Sequence, residues 1–205
     1  MIAVRLFTSA AVLAASLAGS QVAAQPARPG PGAGVEIAVT AGLFQPTEDS
    51  VRRVYEGGRI PWAVDGDVRV RGRLSVFAGA RFLKMDGRVS GIDPAVGVGT
   101  DTRLSTSSLR FGARVDHRWG ALGLLAGLGA ARTSYTETWP GVAAEFSGSA
   151  WGLLIQGGVV YRATRHVGVT GRVDWFRART GEGSLLDEKV DVGGGDLMAG
   201  VVIRF

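Results

Sequence analysis

The chain has 205 residues, 46% of them hydrophobic and 20% charged, with 32 glycines and no cysteine. This composition excludes a disordered tail, which would be poor in Val, Leu and Ile, and a disulfide framework, a thiolate metal site or a cysteine nucleophile. The absence of asparagine removes any N-glycosylation acceptor. The net charge is +5, almost all of the basic side being arginine, since lysine occurs only at Lys84 and Lys189. These arginines are spread through β-like segments with acids between them, so the concentrated footprint of a nucleic-acid binder is missing.

Residues 1–24 read as a secretory signal. Arg5 supplies the positive start, Leu6 to Ala18 a short apolar stretch, and Val22-Ala23-Ala24 a small-residue cleavage site. The apolar part is too short for a helix spanning about 30 Å. Residues 25–34 form a Pro/Gly-rich leader without periodicity.

From Val35 onward the hydrophobic period is two. The first segment sets Val35, Ile37, Val39, Ala41 and Leu43 against Glu36, Ala38, Thr40 and Gly42. The second sets Trp62, Val64, Val68 and Val70 against Asp65, Asp67, Arg69 and Arg71. The third alternates Leu74, Val76, Ala78, Ala80 and Phe82 with Ser75, Gly79 and Arg81. The fourth alternates Leu109, Phe111, Ala113 and Val115 with Arg110, Gly112, Arg114 and Asp116.

Four further segments follow. They carry Leu122 to Ala130, Trp151 to Tyr161, Val167 to Trp175 and Leu197 to Phe205 on their apolar faces, opposite Gly and charged residues. The connections alternate long and short. Three are tight, around Gly72, Trp119-Gly120 and Thr164-Arg165; four are long, at about 45–61, 87–101, 136–148 and 180–190. A Greek-key sandwich has no reason to keep that order, whereas a transmembrane barrel has short periplasmic turns and longer external loops.

The aromatics point the same way. Trp62, Phe82, Trp151 and Trp175 fall near one set of strand ends. Tyr161 and Phe205 fall at the other, with Trp119 in a turn. Such girdles suit amphipathic rings at two membrane–water boundaries. The predicted fold is all-β: an eight-stranded antiparallel up-and-down transmembrane barrel over residues 35–205.

The final segment, Val192 to Phe205, resembles that of small bacterial outer-membrane β-barrels: the OmpA-type transmembrane domain, the OmpW group and the opacity-like proteins. It ends in Phe205 with Leu197, Ala199, Val201 and Ile203 at every second place before it. The resemblance implies that these residues are an assembly signal read by the outer-membrane insertion machinery. It also implies a monomer among outer-membrane lipid and lipopolysaccharide in a Gram-negative-type bacterium.

The face opposite the apolar one carries Glu36, Asp65, Asp67, Arg69, Arg71, Arg81, Arg110, Arg114, Asp116, Arg162, Arg172, Asp174, Asp196 and Arg204. Interleaved signs suggest cross-strand ion pairs, with Arg suited to bidentate pairing. An eight-strand interior is only wide enough for side chains to fill, so a sealed polar lumen is expected over an ion path. The inward glycines complicate this by leaving space for arginine side chains or water.

A structural or surface-interaction role follows, with a narrow pore for small ionic or apolar solutes as the alternative. Some eight-strand barrels of this membrane modify lipid A. The two histidines, His117 and His166, sit at short turns without a serine partner, so no catalytic residue and no enzyme is expected. No metal-ligand spacing and no cofactor motif is present. The acids Glu48, Asp49, Glu56, Glu182, Asp187 and Glu188 read as solvated loop surface. Gly97-Val98-Gly99 and Gly127-Leu128-Gly129 lack the helix that a phosphate loop requires. In the first loop, Arg52, Arg53, Val54, Tyr55, Glu56 and Arg59 are candidate contacts to lipid phosphate or a partner. In the third, Trp139-Pro140 and Phe146 form a candidate apolar patch.

Overall fold

The computed structural model describes residues 34–55, 59–89, 100–140, 144–179 and 191–205. Residues 1–33, where a signal and a leader are expected, and Glu56, Gly97 to Gly99, Glu182, Asp187 and Glu188 lie outside the described residues. The strands are β1 (Val35–Pro46), β2 (Trp62–Arg71), β3 (Leu74–Val89), β4 (Thr100–Trp119), β5 (Leu122–Trp139), β6 (Ala144–Arg162), β7 (Val167–Ala178) and β8 (Gly194–Arg204). Each pairs antiparallel with the next, and β8 closes on β1 through pairs such as Val39 with Val201. The architecture is the up-and-down eight-stranded barrel that the alternation predicts.

Three tight turns close one end, called here the turn end. Gly72 and Gly120 adopt φ of 56° and 58°, a left-handed conformation that glycine enters without a Cβ penalty. The third turn is held by the Thr164 hydroxyl, which accepts hydrogen bonds from the backbone N–H of His166 and Val167 at 3.2 and 2.9 Å.

The alternation decides which face points outward. Val39, Leu128, Leu153, Val173 and Ile203 are all exposed on the outer surface. The apolar outer rows span nine residues in β3 (Leu74 to Phe82) and eleven in β6 (Trp151 to Tyr161). Beyond them, toward the loop end, the outer face turns polar: Lys84 and Asp86 on β3, Ser107 and Arg103 on β4, Arg132 and Ser134 on β5, Ser149 and Ser147 on β6. The aromatics mark both edges of the apolar band. Trp62 stacks on its cross-strand partner Phe82 with ring centroids 4.3 Å apart, and Trp151 meets Phe111 edge-on at 6.0 Å. Trp175 lies at the same edge. Trp119, Tyr161 and Phe205 lie at the turn end. Trp119 is not in the turn as expected; it is the last residue of β4, pairs with Leu122 and shares the parity of the outer apolar row.

Strands β3 to β6 run 16, 20, 18 and 19 residues, against 10 to 12 for the other four. They therefore rise beyond the rest as a four-stranded wall. This overturns the long loop expected at 136–148: the β5–β6 ladder continues to the pair Trp139 with Ala144. The sequence pattern changes there because the outer face becomes polar while Tyr135 and Trp139 turn inward and are buried. Trp139 consequently does not belong to an exposed patch. The first connection also differs from expectation, since Asp49–Val54 form a short helix, α1.

The interior is layered rather than uniformly polar. Toward the loop end, Phe44, Leu83, Met85, Leu104, Tyr135, Leu154 and Phe176 make one apolar cluster, onto which α1 seats Val51 and Tyr55. Several inward glycines are positions of close approach, not space. A Cβ on Gly200 would lie 1.9 Å from the Val39 carbonyl oxygen, and one on Gly79 would lie 2.1 Å from Asp65 Oδ1.

Candidate functional site

The inward parity of β2, β3, β4, β7 and β8 brings the charged side chains to the barrel axis below the apolar cluster. At the centre lies a ring of alternating charge. Arg110 holds Asp65 at 2.8 Å and Asp174 at 2.9 Å, and Arg172 contacts the same two carboxylates, each at 2.8 Å. All four side chains are almost wholly buried. A buried charge without a partner costs several kcal/mol or more, so closure of the ring is what makes these four residues tolerable together.

Next to the ring, Arg81 binds Asp196 through two hydrogen bonds of 2.6 and 2.7 Å. Its guanidinium also lies 4.8 and 4.9 Å from the ring centroids of Phe44 and Phe176. This layer joins the charged zone to the apolar cluster. Toward the turn end, Arg114 donates to Gln156 at 2.9 Å, reaches Asp67 at 3.3 Å and lies over the Phe77 ring at 4.1 Å.

The turn-end layer is looser and more exposed. Glu36 is shared by Arg162 at 3.2 Å, Arg118 at 3.4 Å and Arg204 at 3.8 Å. Asp116 pairs with Arg69 at 3.1 Å and Arg118 at 2.5 Å.

The candidate residues Glu36, Arg69, Arg81, Arg110, Arg114, Asp116, Arg172, Asp174 and Arg204 thus meet inside the barrel, with Asp65, Asp67, Arg162 and Asp196. Arg71 does not. A register shift between Arg69 and Arg71 breaks the alternation at the end of β2 and leaves Arg71 exposed. Sequence reasoning missed Arg118, although its parity with Asp116 marked it. It also missed Phe44, Phe77 and Phe176, whose parity placed them inward among the arginines.

The loop end is capped by a residue expected on the outside. The Tyr55 hydroxyl donates to the Glu137 carboxylate and lies 3.4 Å from the Thr102 hydroxyl. Burial and the neighbouring Glu137 carboxylate push the Tyr55 phenol well above its ordinary range, against a smaller opposing effect of Thr102. Arg59 holds this corner by donating to the Tyr55 carbonyl at 2.6 Å. Tyr55 and Arg59 therefore serve the cap, while Arg52 and Arg53 remain exposed.

Of the histidines, His117 packs against Trp119 with centroids 4.1 Å apart, and His166 Nδ1 lies 3.1 Å from the Arg204 carbonyl oxygen. Among the described residues neither meets a serine hydroxyl. Among the described residues no three His, Asp or Glu side chains converge as metal ligands. Leu197, Ala199, Val201, Ile203 and Phe205 form one exposed row on β8 and its end.

No protein-family model and no curated protein sequence matches the chain. Solved structures do. The chain is similar to OprG, an outer-membrane protein of Pseudomonas aeruginosa, with a TM-score of 0.63 at 15% identity, covering 84% of this chain and 96% of that one. Neisserial surface protein A gives 0.54 at 16% identity over 84% and 96%. A major outer membrane protein of Thermus thermophilus gives 0.51 at 15% identity over 84% and 99%. The fold of this chain is the one these small eight-stranded outer-membrane barrels share.

Proposed function

We propose that this protein is an integral barrel of a bacterial outer membrane, with a structural or surface-interaction role and a polar, largely side-chain-filled lumen that passes no solute. Segment 1–24 directs export, and the outward row ending in Phe205 serves the insertion machinery. The outer belt supports the membrane reading, because its rows of nine to eleven residues match what a tilted strand needs to cross about 30 Å of hydrocarbon. Two aromatic edges fit the interfaces on either side. Lys84 and Arg132 lie on the outer face just beyond the belt, and Arg52 and Arg53 on α1. They suit contact with lipid and lipopolysaccharide phosphate. The chain acts as a monomer and catalyses no reaction in this reading.

One observation carries the closed lumen: two seals lie in series. The ring of Arg110, Asp65, Arg172 and Asp174 with the Arg81–Asp196 pair fills one level, and the apolar cluster under Tyr55 fills the next. The alternative, a narrow pore, draws support from a cavity in the turn-end half of the lumen. That cavity is bounded at the Asp65–Arg172 level.

Conductance of the refolded chain in a planar bilayer separates the two. Insertions verified by protease protection stay electrically silent in the closed reading. Reproducible unitary steps would overturn it in favour of the pore.

A further inference from the structure

The rim of the turn end carries an unbalanced positive charge. The register shift after Arg69 sets Arg71 opposite Leu74, and residues directly opposed across a ladder share one face. Arg71 therefore joins the outward row at the turn-end edge of the belt. Arg73 and Arg165 are exposed in the neighbouring turns. Arg165 Nε donates to His166 Nε2 at 2.8 Å, which anchors the side chain by one nitrogen. Among the described residues the acids of this end are already held from within the lumen. Glu36 is shared by Arg162, Arg118 and Arg204, Asp116 by Arg69 and Arg118, and Asp67 is met by Arg114. Residues 1–33 contain no acid, and a carboxylate at Phe205 would offset only one of the three exposed arginines. At the loop end, by contrast, the outward Arg88 and Arg103 are matched by Asp101 and Asp86 at 3.0 and 2.8 Å.

These cations stand at the same edge as Trp119, Tyr161 and Phe205, all exposed. Aromatic rings of this kind settle at the head-group level of a bilayer, so the guanidinium groups meet lipid phosphate there. The planar fork of arginine pairs bidentately with phosphate. A zwitterionic lipid already answers its phosphate with its own ammonium, whereas an anionic lipid does not.

We propose that the turn-end rim, through Arg71, Arg73 and Arg165, is a docking collar for anionic phospholipid head groups in the adjoining leaflet. The inference rests on the membrane reading above and is independent of whether the lumen conducts.

The test folds the full chain into phosphatidylcholine vesicles holding a minor fraction of phosphatidylglycerol. Trp62→Phe, Trp139→Phe, Trp151→Phe and Trp175→Phe leave Trp119 as the reporter of the turn end. Its quenching by brominated phosphatidylglycerol is compared with that by brominated phosphatidylcholine. A preference of about fivefold is expected, the ratio for one arginine at an anionic surface. Arg71→Gln, Arg73→Gln and Arg165→Gln together should bring the ratio to about one, as should about 1 M salt, which shortens screening to about 3 Å. In a chain keeping Trp151 alone, at the other edge of the belt, the triple substitution should leave the ratio unchanged. Should the tryptophan-poor chains fail to fold, electron spin resonance of spin-labelled lipids around the chain with its own tryptophans reads the same preference. The triple substitution should lower it roughly twofold or more. Equal quenching of Trp119 by the two lipids, or a preference unmoved by the triple substitution in either measurement, would overturn the proposal and leave the membrane reading standing. No quenching of Trp119 and no motionally restricted lipid of either kind would overturn the membrane reading and this proposal with it.

Discussion

Arg81 and Asp196 stand 115 positions apart in the chain, yet meet through two hydrogen bonds, Nε to Oδ2 at 2.6 Å and Nη2 to Oδ1 at 2.7 Å. Both side chains are sealed from solvent, at 1% and 0% exposure. The guanidinium is flanked by Phe44 and Phe176, whose rings stack 6.0 Å apart. Bidentate pairing and π faces together compensate the charge of a group that the low-dielectric interior would otherwise reject, while its Nη1 meets no acceptor among the described residues.

That geometry sets an asymmetry between single and double substitution. Arg81→Leu leaves Asp196 buried and unpaired and should lower stability by about 3–5 kcal/mol. Arg81→Leu combined with Asp196→Leu removes both charges from an aromatic setting and should recover most of that loss. Urea unfolding in micelles, followed by tryptophan fluorescence, measures both. A double variant no more stable than the single one would mean that the pair itself, rather than the unpaired charge, governs the energetics.

The outer belt gives a second test. Ile155 lies within the apolar row of β6, exposed outward between Leu128 and Trp175 on the neighbouring strands. Ile155→Arg places a charge in hydrocarbon and should cost about 2–4 kcal/mol near the midplane. Its folded, heat-modifiable fraction in lipid vesicles should fall sharply. Ser149→Arg, on the same outer face but beyond Trp151, should insert as the unmodified chain does. Equal insertion of both variants would contradict the placement of the belt.

Tyr55 gives a pH test outside the belt. Its phenol is held above the unfolded value of 10.0 by burial and by Glu137, so the folded state binds that proton more tightly than the unfolded state does. The resulting stabilisation is complete below about pH 10 and is lost as pH rises toward the folded value. Spectrophotometric titration of the folded chain should show the Tyr55 phenol still un-ionised at a pH where the same phenol has ionised in the unfolded chain. Tyr55→Phe should abolish that difference. A late-titrating phenol that persists in the variant would assign the protected group elsewhere.

Much of this was legible in the chain itself. Successive side chains of a strand alternate between faces, so taking every second residue within each strand separates the outer row from the inner one. The glycine turns and the count of eight follow from the same reading. Parity even places Phe44 and Phe176 inside, once every residue is followed rather than only the charged ones.

What the tertiary structure decided is pairing, extent and termination. Which carboxylate serves Arg81 depends on how β3 and β8 face each other across the closed barrel, a relation that no local pattern encodes. The shift between Arg69 and Arg71 removes Arg71 from the interior because one irregular step in the ladder reverses parity. Strands β4 to β6 continue past the apolar band because backbone hydrogen bonding is indifferent to polarity, whereas the pattern that marks a strand is not. Helix α1 is too short to display a period, and only the open mouth of the barrel gives Val51 and Tyr55 a place to be buried. Alternation is a property of one strand and can be read from one strand; complementarity belongs to two surfaces and exists only once the sheet has closed.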